Sequence, residues 1–318
     1  MLGEIKTPNA WAMLRDLVAP CRLCPRNCGV DRPAGERGTC GAPAEAVVAS
    51  AAPHFGEEAC LAGRGGSGTI FLAGCNLRCV FCQNYDISHF IVGQPMDTAA
   101  LAQLMLALEG HGCENVNFVT PTHVSPALAA AIVLARGRGL RVPIVWNSGG
   151  YESVEVLRLL EGLVEIYMPD FKFIRSESSE RYLSAADYPE RAREAIREMH
   201  RQVGDLVVED GVARRGLLVR HLVMPGGAEE SREILDFLAS LSPQTFVNVM
   251  DQYRPAGLAV EPRQPATARA VPEPGARPAR VAGSEGRSKF PELARRSALA
   301  DVSEARAHAR RLGLRLAD

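Results

Sequence analysis

Apolar residues recur along the chain in two alternating periods. Thr69-Ile70-Phe71-Leu72-Ala73 is a short continuous apolar run, the pattern of a strand buried on both faces. From Met96 to Leu108 the period changes. Leu101, Leu104, Met105 and Leu108 fall on one helical face, Asp97 or Thr98 supplies an N-cap, and Gly110 a stop. Asn115 to Thr120 is again a strand. Ser125-Pro126 reads as an N-cap with Pro at the first helical position, opening an Ala-rich helix that ends near Gly137.

The alternation continues with strands at Val142 to Trp146 and Leu163 to Met168 and a helix at Glu152 to Leu160 between them. A charged amphipathic helix follows at Pro189 to Gln202, then a hairpin excursion around Glu209-Asp210-Gly211. A strand at Leu217 to Met224, a helix at Ala228 to Ser240 and a strand at Thr245 to Met250 close the series. Six core strands separated by helical crossovers imply a parallel α/β sheet with helices outside. Six units rather than eight predict a partial (β/α)6 barrel, open on one side.

The flanks differ. Trp11 to Val18 is a short helix. The pattern divides the chain into a Cys-rich segment (1–50), the barrel (51–256), a linker (257–289) dominated by Pro, Ala, Arg, Gly and Glu, and a helical C-terminal segment (290–318). The linker carries almost no large apolar groups and is expected to be disordered. Net charge over 318 residues is −1, so there is no global signal for nucleic acid. The basic excess from Arg254 to Asp318 is dispersed and lacks aromatic interleaving, which argues against a nucleic-acid partner. No stretch approaches 18 consecutive apolar residues, so no membrane span is expected and the protein is read as cytoplasmic.

Nine cysteines, an odd number in short spacings, point to metal binding rather than to a disulfide framework. Cys75, Cys79 and Cys82 stand at C-x3-C-x2-C in the loop after the first core strand, with Phe81 just before the third. Thiolates suit Fe–S clusters and zinc. A tight group of three leaves a [4Fe-4S] cluster with one iron free for a small molecule. Upstream, Cys21, Cys24, Cys28 and Cys40 offer four thiolates in a segment too poor in apolar residues to fold on its own core, which a metal would stabilise. Zinc and a second Fe–S cluster are both reasonable there. Cys60 stands alone and is read as an inert thiol.

The Cys75–Cys82 motif resembles the signature of the radical S-adenosylmethionine (SAM) superfamily. With Cys-Pro-Arg-Asn-Cys, His-Phe-Gly-Glu-Glu, Thr-Pro-Thr-His, Trp-Asn-Ser-Gly-Gly-Tyr-Glu, Pro-Asp-Phe-Lys and Met-Asp-Gln-Tyr-Arg-Pro, the chain is similar to the pyruvate formate-lyase activating enzyme-like subgroup over roughly residues 20–255. The resemblance implies a [4Fe-4S] cluster on Cys75, Cys79 and Cys82 and SAM on its open iron. It implies reductive cleavage of SAM to a 5′-deoxyadenosyl radical, and hydrogen abstraction from a protein or peptide, a glycyl Cα in true activating enzymes. It implies an electron donor of flavodoxin or ferredoxin type. Phe81 matches the aromatic near adenine. Thr120 and Thr122 occupy the place of the Gly-Gly-Glu motif that holds the SAM amino group. Asn147 and Ser148 match a SAM-contacting loop, Asp170 and Lys172 an Asp-x-Lys element near SAM and substrate, and His221 a histidine that approaches SAM. His123 is explained equally well by helix capping. A different radical modification of a protein, peptide or small molecule is the alternative within this class. A non-catalytic iron–sulfur electron carrier is the alternative from outside it.

Overall fold

The computed structural model describes residues 10–260 and 289–317. Helix α1 (Ala10–Asp16) leads into the Cys-rich loops, and β1 (Ala46–His54) follows them. A single helical turn, α2 (Ala59–Ala62), precedes β2 (Ser67–Leu72), whose end opens into the loop of Cys75, Cys79 and Cys82. A turn, α3 (Tyr85–Ser88), and an edge strand, β3 (Gln94–Met96), come next. The βα units then run β2–α4 (Thr98–Gly110), β4 (Asn115–Val119)–α5 (Ser125–Gly137), β5 (Ile144–Ser148)–α6 (Val154–Leu159) and β6 (Ile166–Pro169)–α7 (Ser176–Leu183)–α8 (Tyr188–Val203). A hairpin of β7 (Val207–Glu209) and β8 (Val212–Leu222) leads to α9 (Ala228–Leu241) and β9 (Phe246–Met250). Beyond residue 288, α10 (Leu299–Arg311) and β10 (Arg315–Leu316) complete the described chain.

Among the described residues the sheet order is β10-β9-β8-β6-β5-β4-β2-β1-β3, with β7 on β8. The pairs β2–β4, β4–β5, β5–β6, β6–β8 and β8–β9 are all parallel. These are the six core strands of the sequence pattern, and the sheet curves as an α/β partial barrel. Helices cover its outside over a core that includes Phe118, Trp146 and Tyr167, each fully buried. The turn of the β7–β8 hairpin falls on Asp210 and Gly211, both left-handed at φ 51° and 81°, which suits a short Asp-Gly loop.

The structure departs from the sequence pattern in four places. Residues before Thr69 are not merely a lead-in, because β1 pairs antiparallel with β2 and with β3. A separate helix, α7, precedes the charged helix α8. The C-terminal segment adds β10 parallel to β9 as well as a helix. Ser125 does not cap α5: Val124 is the N-cap residue, and the Ser125 hydroxyl is buried with no partner. The 3-10 turn at Thr122–Val124 runs straight into the helix, so Ser125 already has helical backbone and its hydroxyl cannot reach the first-turn amides. The linker expected at 257–289 lies largely outside the described residues. Its first residues make a 3-10 turn, Gly257–Ala259, whose Leu258 and Ala259 amides donate to the carbonyl of Val80.

The floor of the barrel is plugged rather than hollow. Leu61 of α2 packs with Val145, Ile166, Met168, Ala213 and Leu218 of the strands and with Leu206 just before β7. The Leu61 carbonyl accepts from Asn115 Nδ2 at 2.8 Å. Parallel α/β folds place their chemistry at the C-terminal ends of the strands, the end opposite this packing.

Candidate functional site

A cavity of about 980 Å³ occupies that end of the barrel. Cys75, Cys79 and Cys82 line it together with Phe81, Thr120, Asn147, Ser148, Asp170 and Lys172. The last residues of β5 and residues from the loops after β2, β4 and β6 therefore meet at one place. Of the candidates near the strand ends, Thr122 and His221 do not join that lining. Thr122 is buried and its hydroxyl donates to Glu152 Oε1 at 2.6 Å. His221 is buried on β8 and hydrogen bonds through Nδ1 to the Phe171 carbonyl and through Nε2 to Ser231 Oγ, both at 2.8 Å. Both ring nitrogens are already engaged, so its visible role is to hold the β6 loop against α9.

The cysteine loop is held from below and from the side. Gly74, left-handed at φ 85°, passes so close to the N-terminal segment that a Cβ there would lie 2.7 Å from the Cys40 carbonyl oxygen. Asn76, 1% exposed, donates from Nδ2 to the Tyr151 carbonyl at 2.6 Å, and Arg26 Nε donates to the Asn76 carbonyl at 2.8 Å. The thiols meet hydrogen-bond donors: Leu77 N lies 3.3 Å from Cys75 Sγ and Ser88 Oγ 3.2 Å from Cys82 Sγ. Such donors favour a thiolate over a thiol. Burial acts the other way, raising Cys75 and pushing the Cys79 thiol up to about 12. Metal ligation is what removes those protons.

Lys172 balances this thiol-rich end. It is paired with Asp170, and although burial alone would lower its pKa, the Asp170 carboxylate holds it above the ordinary range. The ammonium is therefore charged beside Cys75 and Cys79, whose thiols feel its field. Tyr188 fixes this arrangement. Its hydroxyl hydrogen is shared between the carbonyls of Gly149 and Asp170, both at 3.0 Å, and its oxygen accepts from Lys172 N at 2.9 Å. Gly150, at φ 79°, lies against the Asp170 carbonyl, where a Cβ has no room.

Phe81 is 5% exposed and meets Phe173 and Tyr253 edge-on, with centroids 6.0 and 6.2 Å away. Thr120 is the unusual backbone of the site. It has φ 62°, uncommon for a β-branched residue, and its amide donates to the Asn147 carbonyl at 2.8 Å. Backbone strain of this kind costs about 1–3 kcal/mol and gathers at ligand sites.

Sequence reasoning missed two buried groups here. The first is a carboxylate cluster. Glu57 and Glu58, just before α2, both pair with Arg220 of β8 across the lumen, and Arg220 Nε lies 2.8 Å from Glu58 Oε1. Asn248 of β9 donates to the same Glu58 oxygen at 2.7 Å. Burial would raise Glu58, but the Arg220 guanidinium holds it below the usual carboxylate range. The second is Glu152, fully buried and pushed up to about 7 by desolvation, against the pull of Thr122, Ser148 and Trp146. Both lie inside quoted motifs, His-Phe-Gly-Glu-Glu and Trp-Asn-Ser-Gly-Gly-Tyr-Glu, which is the signal that could have found them.

The donor set fits a [4Fe-4S] cluster. Three soft thiols from one short loop face one cavity, with N–H and O–H donors on two sulfurs and a cation beside them. Among the described residues no three His, Cys, Asp or Glu side chains already close around a single ion. In a four-iron cluster each thiolate takes a different iron, so no such single-point cage is required.

A model of the radical SAM superfamily matches residues 69–238. The uncharacterized protein MJ0674 of Methanocaldococcus jannaschii is 34% identical over 251 residues, 76% of this chain and 68% of that protein. Among solved structures, the radical SAM methyltransferase TsrM of Kitasatospora setae, with cobalamin and a [4Fe-4S] cluster bound, aligns at a TM-score of 0.42 and 20% identity over 58% of this chain. SuiB of Streptococcus suis, bound to S-adenosylmethionine, aligns at 0.41 and 11% over 55%. The chain spans 36% and 38% of the length of those two chains. Among the described residues no helix is long and apolar enough to cross a membrane.

Proposed function

This chain belongs to the radical SAM superfamily, and on that premise we propose that it abstracts a hydrogen atom from a protein or peptide substrate, as glycyl-radical activating enzymes do. The single observation that carries the reading is the convergence of three thiols with Phe81, Asn147, Ser148, Asp170 and Lys172 on one cavity. Cys75, Cys79 and Cys82 would hold a [4Fe-4S] cluster, which with SAM would supply one-electron reductive cleavage and the capacity to abstract hydrogen from the substrate, with methionine and 5′-deoxyadenosine as products. An external donor of flavodoxin or ferredoxin type delivers the electron.

The chain's own residues prepare the site. Lys172 offsets the negative charge of the thiolates in a poorly solvated pocket. Phe81 offers an apolar ring for an adenine face. Thr120, held left-handed, sets the backbone of the loop where activating enzymes carry Gly-Gly-Glu, and Asn147 and Ser148 offer polar groups beside it. The volume, at the top of the range of about 300–1,000 Å³ for small-molecule sites, leaves space for a substrate segment beside SAM. Thr122 turns away to Glu152. That departure supports a second reading, radical modification of a different protein, peptide or small molecule.

The test is anaerobic reconstitution, reduction with dithionite and measurement of 5′-deoxyadenosine, with Cys79→Ala as control. Deoxyadenosine that needs Cys79 is the expected result. A fully loaded, reducible cluster that forms none, with SAM in excess, refutes the catalytic reading in favour of an electron carrier. Deuterium passing into deoxyadenosine from a glycine-labelled protein substrate separates the two radical readings.

A further inference from the structure

Cys21, Cys24, Cys28 and Cys40 line a second, small pocket, and one residue from the barrel enters that lining, His123. It sits in the 3-10 turn after β4, and its side chain is buried at 1% exposure. Nε2 lies 2.8 Å from the carbonyl oxygen of Ala73. A carbonyl only accepts, so Nε2 carries the proton, and Nδ1 of the neutral ring is a bare lone pair. That nitrogen is buried and has no partner within the protein. An unmet buried acceptor costs about 1–3 kcal/mol. Metal-bound histidines share this arrangement: one nitrogen donates to a backbone carbonyl, which fixes the tautomer, and the other faces the metal.

We propose that the N-terminal cysteines and His123 form a zinc site, in which His123 Nδ1 and three of the four thiolates bind one Zn²⁺. Thiolate and imidazole together suit zinc in closed tetrahedral sites. The pocket measures about 10 Å³, the space of a single water-sized sphere and too little for a four-iron cube. No three of these donors already close around a point, so the thiols draw in as the ion binds, each ligating thiol releasing its proton to solvent. The site has a consequence for the barrel. His123 Nε2–H holds Ala73, and the Cys40 carbonyl abuts Gly74, the two residues that lead into Cys75. Zinc thus positions the loop of the catalytic thiols without touching substrate. This inference needs neither SAM nor the cavity cluster, so it stands or falls separately from the radical reading.

The experiment is zinc content together with zinc-edge X-ray absorption on the full-length, iron-loaded protein, where iron does not contribute to the edge. The expected result is one zinc per chain with three sulfurs and one nitrogen. His123→Ala is expected to weaken zinc retention at least about tenfold, with far-UV circular dichroism reporting whether the fold survives. His123→Cys is expected to keep the zinc with four sulfurs, which identifies the position as a ligand even if the alanine variant unfolds. Four sulfurs in the native protein, unchanged by His123→Ala, overturn the proposal. So does iron with acid-labile sulfide on the four N-terminal cysteines.

Discussion

Replacing Arg220 by methionine removes the guanidinium that pairs with both Glu57 and Glu58. Glu57 and Glu58 have side chains only 7% and 3% exposed, and Arg220 itself is 15% exposed. Losing one partner of a buried ion network leaves charge uncompensated and costs about 3–5 kcal/mol. Asn248 remains as a neutral donor to Glu58 and keeps the loss from being larger. Urea unfolding at pH 7, followed by circular dichroism, should show that difference as a lowered midpoint with an unchanged slope.

The pH dependence gives a sharper check. In the native protein Glu58 is held below its unfolded pKa, so its stabilisation is present above that pKa and is lost as pH falls through the folded value. In Arg220→Met the guanidinium no longer opposes burial at Glu58, and only Asn248 and a backbone donor still pull that carboxyl down. The penalty is then full at neutral pH and shrinks on acidification, as Glu58 takes up a proton. The gap between the two proteins should therefore narrow from pH 7 to about pH 5. Adding Glu57→Gln and Glu58→Gln to the variant should recover much of the loss at pH 7. A difference under about 1 kcal/mol at pH 7, or one that does not change with pH, would refute the reasoning.

Glu152→Gln should stabilise the protein above pH 7: the folded pKa is raised to about 7, so the native protein loses stability as pH climbs from the unfolded value to about 7, by up to ~3 kcal/mol, and the glutamine variant does not. Tyr188→Phe leaves the Gly149 and Asp170 carbonyls and the Lys172 amide short of a partner, and urea midpoints should report a loss of about 1–3 kcal/mol. Lys172→Met should lower 5′-deoxyadenosine formation about ten- to hundredfold and move the cluster potential downward, measured by redox titration, because a cation beside the thiolates is gone. Because Asp170 holds Lys172 charged well into the alkaline range, native activity between pH 6 and pH 9 should show no step from this residue. Gly150→Ala should cost both stability and SAM binding, read by urea midpoint and by isothermal titration, since its Cβ would meet the Asp170 carbonyl at a left-handed φ.

Period and spacing alone were enough for the frame. The six core strands appear because burial on both faces writes a short apolar run into the sequence, and each crossover helix writes its own stripe. The Asp210-Gly211 turn was legible because left-handed backbone restricts residue type. The cysteine loop was legible because its ligands lie within eight residues of one another, so spacing carries the geometry. Pairing between distant segments leaves no such trace. Nothing local marks Arg220 as the partner of Glu57 and Glu58, which lie more than 160 residues earlier. Strand β10 is two residues long and exists only because α10 delivers it to the edge of β9.

The same divide separates the side chains at the site. Asn147, Ser148, Asp170 and Lys172 sit where strand ends put them, and sequence order predicts that much. Thr122, His221 and His123 differ, because one rotation about a side-chain bond decides what each one faces. Thr122 turned to Glu152, His221 was taken by Phe171 and Ser231, and His123 gave one nitrogen to Ala73 and kept the other buried without a partner. The sequence by itself determined the family frame and where the candidate cysteines lie, since these depend on residue type and spacing along the chain. Only the tertiary structure decided which polar groups are spent inside the protein and which are left for chemistry, since that depends on neighbours brought together by folding.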